Sequence, residues 1–204
     1  MDINGEIMIS PQHTKEDYIN LSLSIESDGV LWEKALNILR DRIEGIYLNQ
    51  IEILSENVRS NGFTIMALNC LLIEALLQFR NGEDKTSGKN CRKYTSFLRK
   101  EFPDVFHIKS LADRFYYGIR CGILHSAQTY GKTRLSEGNN FIVKLEDDVL
   151  AVSVARFSEC IREYFNRYIN DLSDRSKVSL RGNFIKKMTF ICDRDAVEST
   201  KNKQ

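Results

Sequence analysis

The stretch 63-FTIMALNCLLIEALLQF-79 decides the fold class. It is apolar on nearly every side at helical spacing, so it reads as a helix buried all round, the centre of a bundle. Asn69 and Glu74 interrupt it, which argues for a core helix and against a membrane span. A carboxylate inside such a helix needs a partner, because desolvating a lone charge is costly. Arg120 is one candidate partner for Glu74; another structural pair, or an exposed seam shared with Gln78, are the alternatives. Asn69 is expected to make a plain hydrogen bond.

Outward from this helix, periodicity predicts its neighbours. Residues 31–58 place Trp32, Leu36, Leu39, Ile43, Ile46, Ile53 and Leu54 at steps of three, four and seven, one amphipathic helix. Asn61-Gly62 is read as the break after it. A helix over 91–102 ends ahead of Pro103, and another over 110–128 opens with Ser110 and Asp113 as a capping pair. Residues 132–145 read as a hairpin with Gly138-Asn139-Asn140 as its turn. A helix follows over 148–172, and a short last one over 184–192. The expectation is a mainly α chain, a helical bundle of about five or six helices with a small β-hairpin insertion. Residues 1–30 form an N-terminal segment, 31–194 the helical domain, and 195–204 a disordered tail.

Composition narrows the class of function. The 204 residues are 42% hydrophobic and 28% charged with a net charge of +1, ordinary for a globular chain. A nucleic-acid surface would have to be a local patch. The five cysteines are odd in number and form no CxxC, which argues against zinc and a disulfide framework and for a reducing cytoplasm. His13, His107 and His125 are scattered, so no metal and no cofactor are expected. The opening MDINGEIMIS lacks the basic and apolar regions of a signal peptide, and no membrane partner is expected.

The stretch 115-FYYGIRCGILHSAQT-129 carries the chemistry. At about 100° per residue, Leu111, Phe115, Ile119, Gly122, Ile123 and Ser126 share a core face. The opposite strip holds Asp113, Tyr117, Arg120, Leu124 and Gln128, with His125 at its edge. Arg120 and His125 then flank a strip with Tyr117 and Leu124 between them. Tyr and Leu amid such a strip point to a contact surface, a symmetric dimer interface. RNA brings its own nucleophile, the ribose 2′-OH. Histidine as a residue type moves protons near neutral pH, and an arginine can hold a phosphate bidentately. The bland alternative makes Arg120 a structural ion-pair donor and His125 a helix-end cation favoured by the dipole.

At these residues the chain resembles the HEPN superfamily, small helical bundles whose hallmark is R-x4–6-H. Arg120 and His125 fit with four residues between them, and the similarity runs over about 31–172. The resemblance implies a metal-independent endoribonuclease or RNA-binding domain with a role in cellular defence. It also implies a homodimer whose two motifs meet across the interface, with RNA as target and an antitoxin or regulatory protein as a further partner. Arg120 and His125 would be catalytic, with Glu74, Cys121 and Tyr117 in support. After the arginine the family's active members usually carry Asn, Asp or His, whereas this chain has Cys121. Two residues after the histidine stands Ala127, where some members carry a modified tyrosine.

The densest basic stretch is 89-KNCRKYTSFLRK-100. Lys89, Arg92, Lys93 and Lys100, joined by Arg99, suit RNA phosphates, and a solvated charged face is the alternative. Cys121 beside Arg120 is either a thiolate favoured by the cation or small interface packing. The rival reading of the whole chain is a non-catalytic helical dimerisation module that binds a protein partner. In that case Arg120 and His125 would pair internally.

Overall fold

A computed structural model describes residues 2–3, 5–85 and 90–193. In chain order the elements are β1 (Asp2–Ile3), β2 (Glu6–Ile7), α1 (Lys15–Ile19) and α2 (Gly29–Ile43). Next come a π-helical turn (Glu44–Leu48), α3 (Asn49–Ser55), α4 (Val58–Asn81), α5 (Asn90–Glu101) and α6 (Lys109–Arg114). A second π-helical turn (Phe115–Cys121), α7 (Gly122–Ser126), β3 (Thr133–Ser136), β4 (Val143–Glu146), β5 (Val149–Ser153), α8 (Val154–Ser173) and α9 (Val178–Cys192) complete the chain. The protein is mainly helical with a small β insertion, as its periodicity predicts.

The chain divides into two compact units. The first takes the chain up to Leu48, Gln78–Lys85 and the described residues from Arg167 on. The N-terminal segment in it is structured. Thr14 caps α1 with a reciprocal box, its hydroxyl accepting from Asp17 N while the Asp17 carboxylate accepts from Thr14 N. Asp28 caps α2 by accepting from Leu31 N at 2.9 Å. The core of this unit is aromatic. Phe184 of α9 packs on Tyr18, Trp32 and Phe79, with ring centroids 5.6 Å apart for Trp32. Arg181, also on α9, is buried and lies with its guanidinium carbon 3.8 Å from the centre of the Trp32 ring. Periodicity predicts the last helix only over 184–192; it begins at Val178, because Arg181 and Lys187 occupy core positions that a polar residue conceals from a hydrophobic pattern.

The second unit takes Asn49–Leu77 and the described part of 86–166. Its centre is α4, with Ile65, Met66, Asn69, Cys70, Leu72, Ile73, Leu76 and Leu77 all buried. Among the described residues, α4 is the helix long and apolar enough to cross a membrane; 56% of its most apolar window is buried in the protein, as in a core helix. The helix runs straight through Asn61-Gly62, so the predicted break falls earlier, at Glu56-Asn57. There the Asn57 side chain accepts from Ser60 N at 3.2 Å, as a cap does. Asn69 donates to Ser158 Oγ at 2.8 Å, the plain hydrogen bond expected of it. Phe115 packs edge-on against Phe106 and tilted against Phe157, with centroids 5.4 and 4.9 Å away.

The β insertion pairs differently from the simple hairpin over 132–145. Its sheet has the order β3-β5-β4, with β3 parallel and β4 antiparallel to β5. The hairpin is β4–β5, and its two-residue turn is Asp147-Asp148, at φ 50° and 61°. Aspartate tolerates that left-handed conformation better than most residues, which suits the turn. Strand β5 takes the place of the first turn of the helix that periodicity predicts over 148–172. Its short apolar run, Leu150 to Val152, is buried as a central strand, and such a run has no period that tells strand from helix.

Candidate functional site

The helix that carries the site, residues 109–126, is built from α6, the π-helical turn and α7. It begins at Lys109 with Ile108 at the cap position, so Ser110 makes no cap. Asp113 instead pairs with Lys109 at 2.8 Å, one turn back. Leu111, Phe115, Ile119, Gly122 and Ile123 are buried as expected, but Ser126 is exposed and Tyr116 takes a core place.

The π-helical turn changes the register at the motif. On a regular α-helix, residues five apart point about 140° away from each other. A π-helical turn holds more residues per turn and so alters that angle. Arg120, near its end, reaches His125 directly, Nη1 to Nε2 at 3.5 Å. The two residues meet rather than flank a strip. An arginine N–H only donates, so a hydrogen bond between the two requires an Nε2 without a proton. His125 is exposed, whereas the Arg120 side chain keeps 11% of its surface.

Glu74 fixes the arginine. Arg120 Nη2 donates to Glu74 Oε2 at 2.8 Å, which answers the sequence question of where a carboxylate inside α4 finds its partner. The Arg120 guanidinium carbon also lies 5.5 Å from the Tyr116 ring centre. Burial works against the charge on Arg120, but the Glu74 hydrogen bond and charge outweigh it and hold its pKa above the ordinary value. Arg120 Nε is buried and has no hydrogen-bond partner among the described residues. The Gln78 side-chain oxygen accepts from Lys187 at 2.7 Å.

Two glycines shape the loop beside the motif. The chain leaves α7 through Ala127 in the left-handed conformation, φ 53°, and folds back over the helix. Tyr130 N then donates to Gly118 O at 2.8 Å. A side chain at Gly122 would meet backbone on that return path, with Tyr130 N at 3.0 Å and Thr129 Cα at 3.1 Å. A side chain at Gly118 would run into Thr133. Glycine is therefore required by close approach at both places.

The returning loop and the helix enclose a groove of about 450 Å³ that sequence reasoning missed. Its lining includes Arg114, Tyr117, Cys121, Tyr130, Lys132 and Asp148. Tyr117 is 58% exposed and Tyr130 40%. Arg114 Nη1 donates to the Asp148 backbone oxygen at 2.9 Å, and its Nη2 to the carboxylate. Lys132 Nζ donates to the same carboxylate at 3.0 Å. These two cations hold the Asp148 carboxyl below the usual range, Lys132 first. The sequence singles out Tyr117 but not Tyr130; what joins them is the fold-back at Ala127, which no local pattern announces.

Of the basic stretch, Lys89 lies outside the described residues. Arg92, Arg99 and Lys100 are exposed on one face of α5, while Tyr94, Phe97 and Leu98 on the other are buried. Lys93 is half-buried at the edge of that face. Tyr94 packs against Tyr116 at 5.4 Å, which sets α5 beside the site helix. All five cysteines are free thiols, and burial pushes the Cys70 thiol up to about 12. The predicted tail, 195–204, also lies outside the described residues. Among the described residues no three His, Cys, Asp or Glu side chains gather as metal ligands. Compared with family models, curated proteins and solved structures, the chain finds no match.

Proposed function

We propose that this chain is a HEPN-like, metal-independent endoribonuclease that works as a homodimer in the cytoplasm, on single-stranded RNA. The observation that carries the reading is the geometry of Arg120. One edge of its guanidinium is held by Glu74 at 2.8 Å, and the other faces exposed His125 Nε2 at 3.5 Å. A scissile phosphate beside this pair would take Arg120 N–H donors on its oxygens, which stabilise the charge that grows there. His125 Nε2 takes the 2′-OH proton as O2′ bonds to phosphorus. The bond to O5′ breaks, and O5′ leaves with a proton from water. The products are a 2′,3′-cyclic phosphate and a 5′-hydroxyl.

The dimer is supported by exposed apolar side chains on the helices that carry the pair. Leu71, one turn before Glu74 on α4, is 43% exposed, and Phe63 on the same helix is 46% exposed. Leu124, one residue before His125, is half-buried. A second copy seated on this surface would bring two motifs near one cleft. The exposed cations Arg92 and Lys100, with Lys93 beside them, supply phosphate contacts. Participation in defence, and control by an antitoxin or regulatory protein, rest on the HEPN resemblance alone.

One observation favours the second reading, a non-catalytic dimerisation module with a protein partner: Arg120 already has an internal ion pair with Glu74. A cleavage assay separates the two. Labelled single-stranded RNA should be cut in chelator to a cyclic-phosphate product, and a 2′-deoxy strand should survive. His125→Ala and Arg120→Lys should each slow cutting by about 10² to 10⁴. RNA left intact by the wild type, with Arg120→Lys lowering only the melting temperature, would establish the module instead.

A further inference from the structure

We propose that the groove between the site helix and the returning loop is a nucleotide subsite, in which Tyr117 and Tyr130 stack an unpaired base and Arg114 and Lys132 take the adjoining phosphate. The proposal rests on the RNA reading above and adds to it the place where a neighbouring nucleotide binds. Three observations carry it. The first is aromatic exposure. Tyr117 and Tyr130 are large side chains left at 58% and 40% exposure on one groove, and any base offers a π-face to such rings.

The second is charge. Arg114 and Lys132 share the one carboxylate of Asp148, which leaves the groove with a net positive charge and with unused N–H donors on both cations. Asp148 thereby positions the two cations without cancelling them. A groove of about 450 Å³ lies within the range of small-ligand sites, roughly 300 to 1,000 Å³.

The third is continuity with the motif. Cys121 in the groove follows Arg120 in the chain. The Tyr130 hydroxyl is hydrogen-bonded to Ser126 Oγ, and Ser126 follows His125. Cys121 and Tyr130 thereby tie the groove to the residues next to the motif in the chain. On this proposal a strand with its scissile phosphate at the pair would lay its next base on the tyrosines. The fold-back at Ala127 and the close approach over Gly118 and Gly122 hold the two walls together.

The test measures binding of two labelled strands, oligouridylate and an abasic ribose-phosphate oligomer of equal length. The protein carries His125→Ala throughout, so that nothing is cut. Adding Tyr117→Leu or Tyr130→Leu should weaken oligouridylate binding about tenfold each and leave the abasic strand unchanged. The corresponding Phe variants should bind like the parent, because the ring is kept. Arg114→Gln with Lys132→Gln should weaken both strands. Parent-like oligouridylate binding by both Leu variants, or equal losses on both strands, overturns the subsite while leaving RNA cleavage by the wild type standing. No binding of either strand by the parent overturns subsite and RNA reading together, and assigns the groove to a protein partner.

Discussion

Arg120 joins Glu74 and His125 through opposite edges of one guanidinium, at 2.8 Å and 3.5 Å. An arginine so held is both a structural and a chemical group, and mutation can separate the roles. Glu74→Gln leaves the cation on a side chain with 11% of its surface exposed and no carboxylate beside it. The expected loss of stability is about 2 kcal/mol, below the range for fully buried pairs because solvent still reaches this one. Arg120→Met should cost a similar amount, and the double variant less than the sum, with a coupling of about 1 kcal/mol in a denaturant cycle. Strict additivity would show that the two side chains do not act as a pair.

Gly122 and Gly62 both sit in helices, yet alanine should act on them in opposite directions. At Gly122 the new methyl group meets the backbone of Thr129 and Tyr130, at 3.1 and 3.0 Å, and the loop must shift. A loss of about 1 to 3 kcal/mol is expected. At Gly62 the nearest atom is Val154 Cγ2 at 3.6 Å, an ordinary contact. Alanine there should add about 0.5 to 1 kcal/mol by restricting the unfolded chain. Thermal melts should show the midpoint of Gly62→Ala rising and that of Gly122→Ala falling by several degrees.

Lys187 gives a pH signature. Burial pushes its ammonium pKa down from 10.5 to about 8, although the nearby Asp84 carboxylate works the other way. Its Nζ donates to Gln78 Oε1 at 2.7 Å and to Asp84 O at 2.6 Å. Below about pH 8 the charge is present in both folded and unfolded chains, and folding carries the full cost of burying it. Between about pH 8 and 10.5 only the unfolded chain holds the proton, so stability rises with pH. Burial of Cys192, pushed up to about 11, produces the opposite trend above pH 9. The difference between wild type and Lys187→Met removes that background. It should grow in the wild type's favour from pH 8 to 10.5, and a flat difference would refute the assignment.

The proposed dimer has a direct test. Leu71→Asp and Leu124→Asp place charges on the apolar surface beside Glu74 and His125, and should convert a micromolar dimer to monomer in sedimentation without changing the melting curve of the monomer by much. A wild type that sediments as a monomer would remove the dimer from the proposal.

Much of the helical order was legible because hydrophobic period survives burial. Pro103 and the stripes around Trp32 and Phe157 mark their helices by ordinary rules. The errors share a physical cause, local signals overridden by tertiary contacts. Asn61-Gly62 reads as a stop, but α4 passes through it. Arg181 and Lys187 read as surface, although one lies on Trp32 and the other bonds Gln78. At the site, Arg120, His125 and Glu74 were all recognisable as residues. Their meeting was not, since it depends on a widened turn at Phe115–Cys121 that no periodicity encodes.

The strand order β3-β5-β4 also sets a sequence in time. Strands β4 and β5 are joined by a two-residue turn and can zip together locally, on the order of 1 to 10 μs. Strand β3 pairs in parallel with β5 across the intervening β4, so it must wait for that hairpin and then close a longer loop. Lys132 and Tyr130 immediately precede β3, and Asp148 sits in the hairpin turn. Docking of β3 therefore completes the groove, and the groove is expected to open when the sheet loosens. Its amides should exchange with solvent sooner than those of β5, which makes the groove the part of the second unit that a ligand would stiffen most.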